Sequence, residues 1–250
     1  MEEVAIVIPV YKPVMSKYEL ISFNQCNKIL SSYKKIIIAP EGLDTSSYQK
    51  IAHKVVTFDK SYFESLKHYN KLLLSETFYK EFTDFEYILI YQLDAFVFED
   101  LLHFWCQKKY DYIGAAWIND YFRILINIIL KINLKTAIWL LFKKNFWNCV
   151  GNGGLSLRRI PSFLAHFNDK SCFADKWTAN EDYYWIFFAK NNNRLFSVPK
   201  PKEAMKFSIE LAPKYCLKKN KYKLPFGLHA WERYNINVWR PYFKDAGYEI

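Results

Sequence analysis

The chain has 250 residues, 51% of them hydrophobic, with only seven glycines and nine prolines. That suits one large α/β domain, or one domain with two lobes, and excludes a disordered or low-complexity chain. The 35 Lys and Arg against 25 Asp and Glu leave a net charge of +10, which favours an anionic partner: a nucleoside diphosphate, an anionic membrane surface or nucleic acid.

Nucleic acid is set aside because neither paired-cysteine zinc spacing nor an RNP-type aromatic signature occurs. Five scattered cysteines, odd in number and without a CxxC pair, do not make a disulfide scaffold and read as small apolar thiols of a reduced chain. The acidic start, MEEVAIVIPVY, lacks the basic residues and long apolar stretch of a signal peptide, so a cytosolic location is expected. The many rings (21 Phe, 19 Tyr, 8 Trp) are core material first, and some are candidates to line a sugar site.

In chain order, Val4 to Val10 is a β-branched run closed by prolines, the pattern of a buried first strand. Residues 16–32 read as a helix, 36–39 as a second buried strand and 55–58 as a third. Residues 61–82 carry apolar side chains at helical spacing, and Tyr87 to Tyr91 forms a fourth strand leading into Gln92-Leu93-Asp94. Strand alternating with helix implies βαβ units, a largely parallel sheet and helices on both faces. Ligands of such sheets sit beyond the carboxyl ends of the strands. Tyr11, Glu41, Asp59 and Asp94 each follow a strand and are candidates for one crevice. Past residue 100 the alternation weakens: a helix at 100–109, a strand and turn at 112–117, helices near 159–168 and 180–190, and an irregular final third.

Four constellations carry candidate chemistry. Asp94, ending the strand YILIYQLD, can hold a divalent cation whose other positions fall to water and substrate phosphates, or can cap the next turn. The run GNGGLSLR places three glycines in four positions, either to let backbone approach a ligand or to turn tightly between strands. No Gly-Lys-Ser/Thr follows, so it is not a P-loop. In NEDYYW, Glu181 and Asp182 are helix-start acids by default and candidate general bases otherwise. His229, in FGLHAW, is either a satisfied buried imidazole or a neutral nitrogen ligand.

The order of these four, from acidic strand end through glycine loop and paired carboxylate to late histidine, resembles the core of GT-A glycosyltransferases. Their signatures are a DxD-type motif, a glycine-rich loop, an xED motif and a C-terminal metal-binding histidine. The wording YQLDAFVF, GNGGLSLR, NEDYYW and FGLHAW is similar to the DUF5672 group of bacterial polysaccharide loci, over most of residues 4–232. The resemblance implies a single α/β domain of the GT-A (Rossmann-like) fold across residues 1–250. Its mixed, mostly parallel sheet is flanked by helices, with a nucleotide-sugar half (1–100) and an acceptor half (101–250).

It further implies sugar transfer from a nucleoside diphosphate sugar donor to a hydroxyl of a glycan or lipid-linked acceptor. Mn²⁺ or Mg²⁺ is expected on Asp94 and His229, and Asp182 is the expected base, which implies inversion at the anomeric carbon. Glu181 or Asp182 orienting substrate in a retaining enzyme is the open alternative. Gly153 and Gly154 would face the donor or acceptor, Pro9 and Tyr11 the nucleobase, and Glu41 the base or ribose. Gln92 stands where the motif's first acid belongs and is left as a neutral contact. Lys67 and Arg158 are further candidate cations, with solvated surface charge as the plain reading. Competing functions are a binding module that kept the fold and lost the chemistry, and a sugar nucleotidyltransferase, which would want a basic glycine loop that VYKP does not offer.

One segment stands apart. Residues 122–147 are strongly apolar, with Asn127, Lys131 and Lys135 every four residues on one helical face. The internal lysines argue against a membrane span. The segment packs on the domain or on a second subunit, or it lies in a membrane surface with its bases toward anionic lipid.

Overall fold

The computed structural model describes residues 2–118, 126, 128–132, 134–142, 150–190 and 196–250. Its centre is a six-stranded sheet in the order β3-β2-β1-β4-β9-β6. These strands are β1 (Glu2–Pro9), β2 (Lys34–Pro40), β3 (Lys54–Phe58), β4 (Phe85–Tyr91), β6 (Tyr112–Ile113) and β9 (Leu155–Arg159). Strand β1 runs parallel to β2 and β4, and β2 parallel to β3, whereas β9 is antiparallel to both β4 and β6. The sheet is thus mixed and mostly parallel, and β9 and β6 come from the second half of the chain.

Every residue from Val4 to Ile8 is buried, as a strand covered on both faces requires. The pleat divides them. Ala5, Val7, Ile36, Ile38, Ile88 and Ile90 pack with Phe78, Tyr79, Phe163 and Trp185 on one face. Val4, Ile6, Ile8, Ile37 and Leu89 pack with Phe23, Cys26 and Trp105 on the other. The helix Lys17–Ile29 starts on a capping box: the Ser16 hydroxyl accepts from the Glu19 amide at 3.3 Å, and the Glu19 carboxylate accepts from the Ser16 amide at 2.6 Å.

Two expectations need correction. Residues 61–82 are not one helix: a 3₁₀ turn (Lys60–Phe63) precedes the helices Leu66–Leu72 and Glu76–Lys80. Ser65 and Ser75 each cap a new helix with the side-chain oxygen, and those caps break the run. The final third is also more regular than its sequence suggests, with helices at Pro201–Phe207, Pro213–Lys219 and Ile236–Asp245. Two small sheets complete the fold. One pairs β5 (Phe96–Val97), β11 (Gly227–Leu228) and β10 (Ser208–Ile209); the other pairs β7 (Ala115–Ala116) with β8 (Val150–Gly151).

Cys26, Cys106, Cys172 and Cys216 are free thiols, the first two and Cys216 buried; Cys149 lies outside the described residues. So do 122–125, Asn127, Asn133 and 143–147 of the apolar segment, whose described part includes the helix Leu134–Leu141. Among the described residues no helix is long and apolar enough to cross a membrane.

Candidate active site

Strand order fixes where a ligand can sit. The chain steps from β1 to β2 and β3 on one side, then returns to place β4 on the other side of β1. The crevice of an open α/β sheet forms at that reversal, beyond the carboxyl ends of the two strands concerned. Here they are β1, which delivers Pro9 and Tyr11, and β4, which delivers Gln92 and Asp94. A cavity of about 850 Å³ opens there, and all four residues line it. Gly153, Gly154, Glu181, Asp182 and His229 line the same cavity, so chain stretches far apart in sequence share one space.

The β4 and β9 ends are tied together. The amide of Gln92 donates to the carbonyl of Gly154 at 2.8 Å. Between β8 and β9, Asn152 takes a left-handed backbone (φ 80°), and its side-chain oxygen accepts from the Gly154 amide at 2.9 Å. Glycine is needed at the next two positions for space. A Cβ on Gly154 would collide with the His229 ring and come within 2.6 Å of Oε1 of Gln92, and one on Gly153 would collide with Glu181.

At one end of the cavity His229 sits between two carboxylates. Its Nε2 is 3.1 Å from Oδ1 of Asp94 and 3.3 Å from Oε1 of Gln92, and its Nδ1 is 3.3 Å from Oε1 of Glu210. Burial disfavours charge on the imidazole, but Asp94 and Glu210 outweigh it and lift the ring to about 10. For Asp94 burial pushes the carboxyl up, and His229 and then Arg233 prevail and hold it below its ordinary value.

Nε2 and Oδ1 stand 3.1 Å apart as an ion pair, with the imidazolium proton on the His229 side. The same spacing would suit a cation that displaces that proton: ligands at about 2.1 Å in an octahedral shell lie about 3.0 Å apart. Among the described residues no group of three or more His, Cys, Asp and Glu gathers around a metal position. Asp94 and His229 are a two-ligand set, which fits an ion that keeps its other positions for water and phosphate.

The other end holds the acidic pair. Asp182 is buried; its two oxygens accept from the amides of Asn152 (3.1 Å) and Tyr183 (2.9 Å). Burial, and next the neighbouring Glu181 charge, raise it from 3.8 to about 7 despite those hydrogen bonds. Glu181 is differently occupied. Its Oε1 accepts from Nη2 of Arg158 at 2.8 Å, with both side chains buried. Burial opposes charge on that guanidinium, and Glu181 more than restores it, leaving Arg158 firmly cationic. Arg158 also donates to Tyr79 at 2.9 Å and to Ser156 at 3.1 Å.

Four residues singled out in the sequence lie outside this cavity lining. Glu41 and Asp59 follow β2 and β3, away from the reversal; both are exposed and outside the cavity lining, and Asp59 caps the turn at Ser61. Lys67 is exposed on the outer side of its helix and does not line the cavity either. Arg158 is a buried structural partner of Glu181, because β9 lies between β4 and β6 and both of its faces are covered.

Among the lining residues that the sequence did not single out, Glu210, Tyr69, Asn152 and Arg233 bear most on the chemistry. The Tyr69 hydroxyl and the side-chain nitrogen Nδ2 of Asn152 are buried without a hydrogen-bond partner among the described residues. The only local signal was Arg233, a cation four residues after His229.

A family model described as "Protein of unknown function (DUF5672)" matches residues 52–229, which run from the β3 approach to His229. The chain belongs to this family. No curated protein matches it in sequence. Solved structures match the fold. Mouse xyloside xylosyltransferase 1, in its apo form, aligns with a TM-score of 0.51 at 11% identity, over 91% of this chain and 97% of that one. The galactosyltransferase LgtC, solved with donor and acceptor sugar analogs, gives 0.51 at 9% identity, over 96% and 94%. The bifunctional glycosyltransferase WbbM, apo, gives 0.50 at 10% identity, over 91% of this chain but 45% of that one. At such identities the likeness is one of fold: this family member has the GT-A-like architecture of glycosyltransferases.

Proposed function

We propose that the protein is a glycosyltransferase that moves a sugar from a nucleoside diphosphate donor to a hydroxyl of a glycan or lipid-linked acceptor, in the building of a bacterial surface polysaccharide. One observation carries the reading. The Asp94–His229 pair and the near-neutral Asp182 open onto a single cavity at the β1/β4 reversal.

In this reading Pro9 and Tyr11 meet the nucleobase at the end of β1, and the diphosphate lies toward β4. Asp94 and His229 would hold Mn²⁺ or Mg²⁺, which when bound supplies Lewis-acid stabilisation of the charge that builds on the leaving diphosphate. Arg233 lines the same end, and its guanidinium makes no ion pair among the described residues, so it adds a cation for phosphate oxygens. It takes the part that sequence reading gave to Lys67 and Arg158. The donors on Tyr69 and Asn152 are left for sugar hydroxyls, because an unpaired buried donor costs free energy until a ligand accepts from it.

Asp182 takes the acceptor hydroxyl's proton as that oxygen attacks the anomeric carbon. A base works best when its pKa lies near the operating pH, and burial has brought this carboxyl to about 7. The two amides that bind its oxygens aim it while leaving lone pairs free. Glu181, locked to Arg158, is not available as a second nucleophile or base, which favours direct displacement and inversion over a two-step retaining route.

The experiment is to incubate the chain with nucleoside diphosphate sugars and Mn²⁺, with and without saccharide acceptors, and to measure nucleoside diphosphate release and the anomeric configuration of the product. Release that depends on Asp94, Asp182 and His229 supports the proposal. Binding of donor with no release under any acceptor or metal points instead to a carbohydrate- or nucleotide-binding module.

A further inference from the structure

A surface helix ordinarily turns one apolar stripe inward and a polar face to water. The stretch from Ile126 to Phe142 does not. On its inner side Ile128 is fully buried, and Ile132 and Leu141 pack against the core cluster that contains Trp117 and Trp185. On its outer side Ile126, Leu130, Leu134, Ile138 and Phe142 recur every four residues, and all are exposed. Leu130 is 77% exposed and Phe142 86%. Leu134 and Ile138 share one face of the helix Leu134–Leu141. Exposed apolar side chains gathered along one short segment in this way mark an interaction site.

The charge around it selects the occupant. From Tyr121 to Asn168 the sequence has no Asp or Glu, while Arg123, Lys131, Lys135, Lys143 and Lys144 flank or punctuate the apolar run. Lys131 and Lys135 are exposed beside the apolar ladder. A second copy of the chain would bring the same positive charge against this one, since a two-fold interface pairs a patch with itself. An anionic bilayer meets both features at once: apolar side chains enter the acyl boundary, and lysines stay at the headgroups.

We propose that this face docks the protein on an anionic lipid surface. It lies beside the cavity. The Thr178 hydroxyl donates to the carbonyl of Lys131, and Nζ of Lys131 donates to Oδ1 of Asn180 at 3.4 Å, while Asn180 lines the cavity next to Glu181. Docking would therefore hold the Asp182 end near the headgroups, where an acceptor carried on a lipid is presented. That consequence rests on the transferase reading; the docking itself does not.

The test is co-sedimentation of the full chain with vesicles of phosphatidylcholine alone and of phosphatidylcholine mixed with phosphatidylglycerol, with light scattering of the free protein. The native chain is expected to pellet with the anionic vesicles only and to be monomeric without them. Leu130→Glu/Phe142→Glu is expected to lower the bound fraction about tenfold or more at an unchanged melting temperature. If that variant does not fold, Lys131→Glu/Lys135→Glu reads the same face through charge and is expected to weaken binding about tenfold or more. Native chain left in the supernatant with both vesicles overturns the proposal. So does undiminished pelleting of the folded variants, or a native dimer that the apolar variant converts to monomer. Since vesicle binding is scored without turnover, an inactive enzyme that docks and an active one that does not are told apart.

Discussion

Gly154 lies so close to His229 that a methyl group on it would occupy the space of the imidazole Nε2. Its φ lies outside the left-handed region, so alanine is acceptable to the backbone and objectionable only to the site. Gly154→Ala is expected to keep the circular dichroism spectrum and to push His229 off Asp94. An ångström of misplacement at a reacting centre costs about 100-fold, and a loss of that order in donor turnover is expected. Normal turnover in a folded Gly154→Ala protein would mean that His229 is dispensable.

Glu210 should matter to metal binding without touching the metal. Its carboxylate accepts from the Nδ1 side of His229, which turns Nε2 toward Asp94. Partners that orient a ligating histidine in this way are worth about 10–100-fold in affinity. Titration calorimetry with Mn²⁺ is expected to show a loss of that size in Glu210→Gln, with the melting temperature of the metal-free protein little changed. Equal affinity would leave Glu210 as a bystander.

Asp182 links activity to stability with opposite signs. Its carboxyl is raised from 3.8 to about 7 by burial first and Glu181 second, so between those values the folded chain holds a proton that the unfolded chain has released. This contribution to stability is complete below about pH 4 and is lost as pH rises through 7. Catalysis runs the other way, because the base must be ionised. Asp182→Asn is expected to lower turnover about 10²–10⁴-fold while donor binding persists, and to remove the acid limb near pH 7. The melting-temperature difference between variant and native chain should shift in favour of the variant as pH rises from 4 to 8. A difference that stays flat across that range would mean that Asp182 is ionised throughout.

The Arg158–Glu181 pair is predicted to be costly to break from one side. Removing one partner of a buried ion pair leaves the other uncompensated, at about 3–5 kcal/mol. Arg158→Met and Glu181→Gln should each lower chemical-denaturation stability by roughly that amount. The double variant should be less damaged than the sum of the two, since it leaves no orphan charge. Strict additivity would show that the two groups do not interact.

The sheet was legible because β1, β2, β3 and β4 are uninterrupted apolar runs ended by proline, glycine or a polar pair. The cavity's poles were legible too, since Asp94, the glycine turn, Asp182 and His229 each stand at a break in such a run. Misplaced residues failed for identifiable reasons. Glu41 and Asp59 follow strands, but the crevice belongs to the strands where the order reverses, and strand order is not written in any local window. Arg158 alternates with Leu155 and Leu157 as a solvent-facing residue would; only the pairing of β9 between β4 and β6 shows that no solvent is there. Glu210 was invisible because its partner is His229, nineteen positions onward, and the contact depends on β10 pairing with β11. Ser65 and Ser75 were overlooked within an apolar rhythm that continued across both breaks.

The hydrogen bond from Gln92 to Gly154 joins the loop that leaves β4 to the turn that enters its neighbour β9. A residue added to or lost from either one is expected to strain that tie. Side-chain exchange at this end is therefore expected to be tolerated better than insertion or deletion in either loop. Changes that tune ligand choice are expected at the mouth, at Tyr11, Glu64 and Glu232, rather than in the lengths of the two tethered loops.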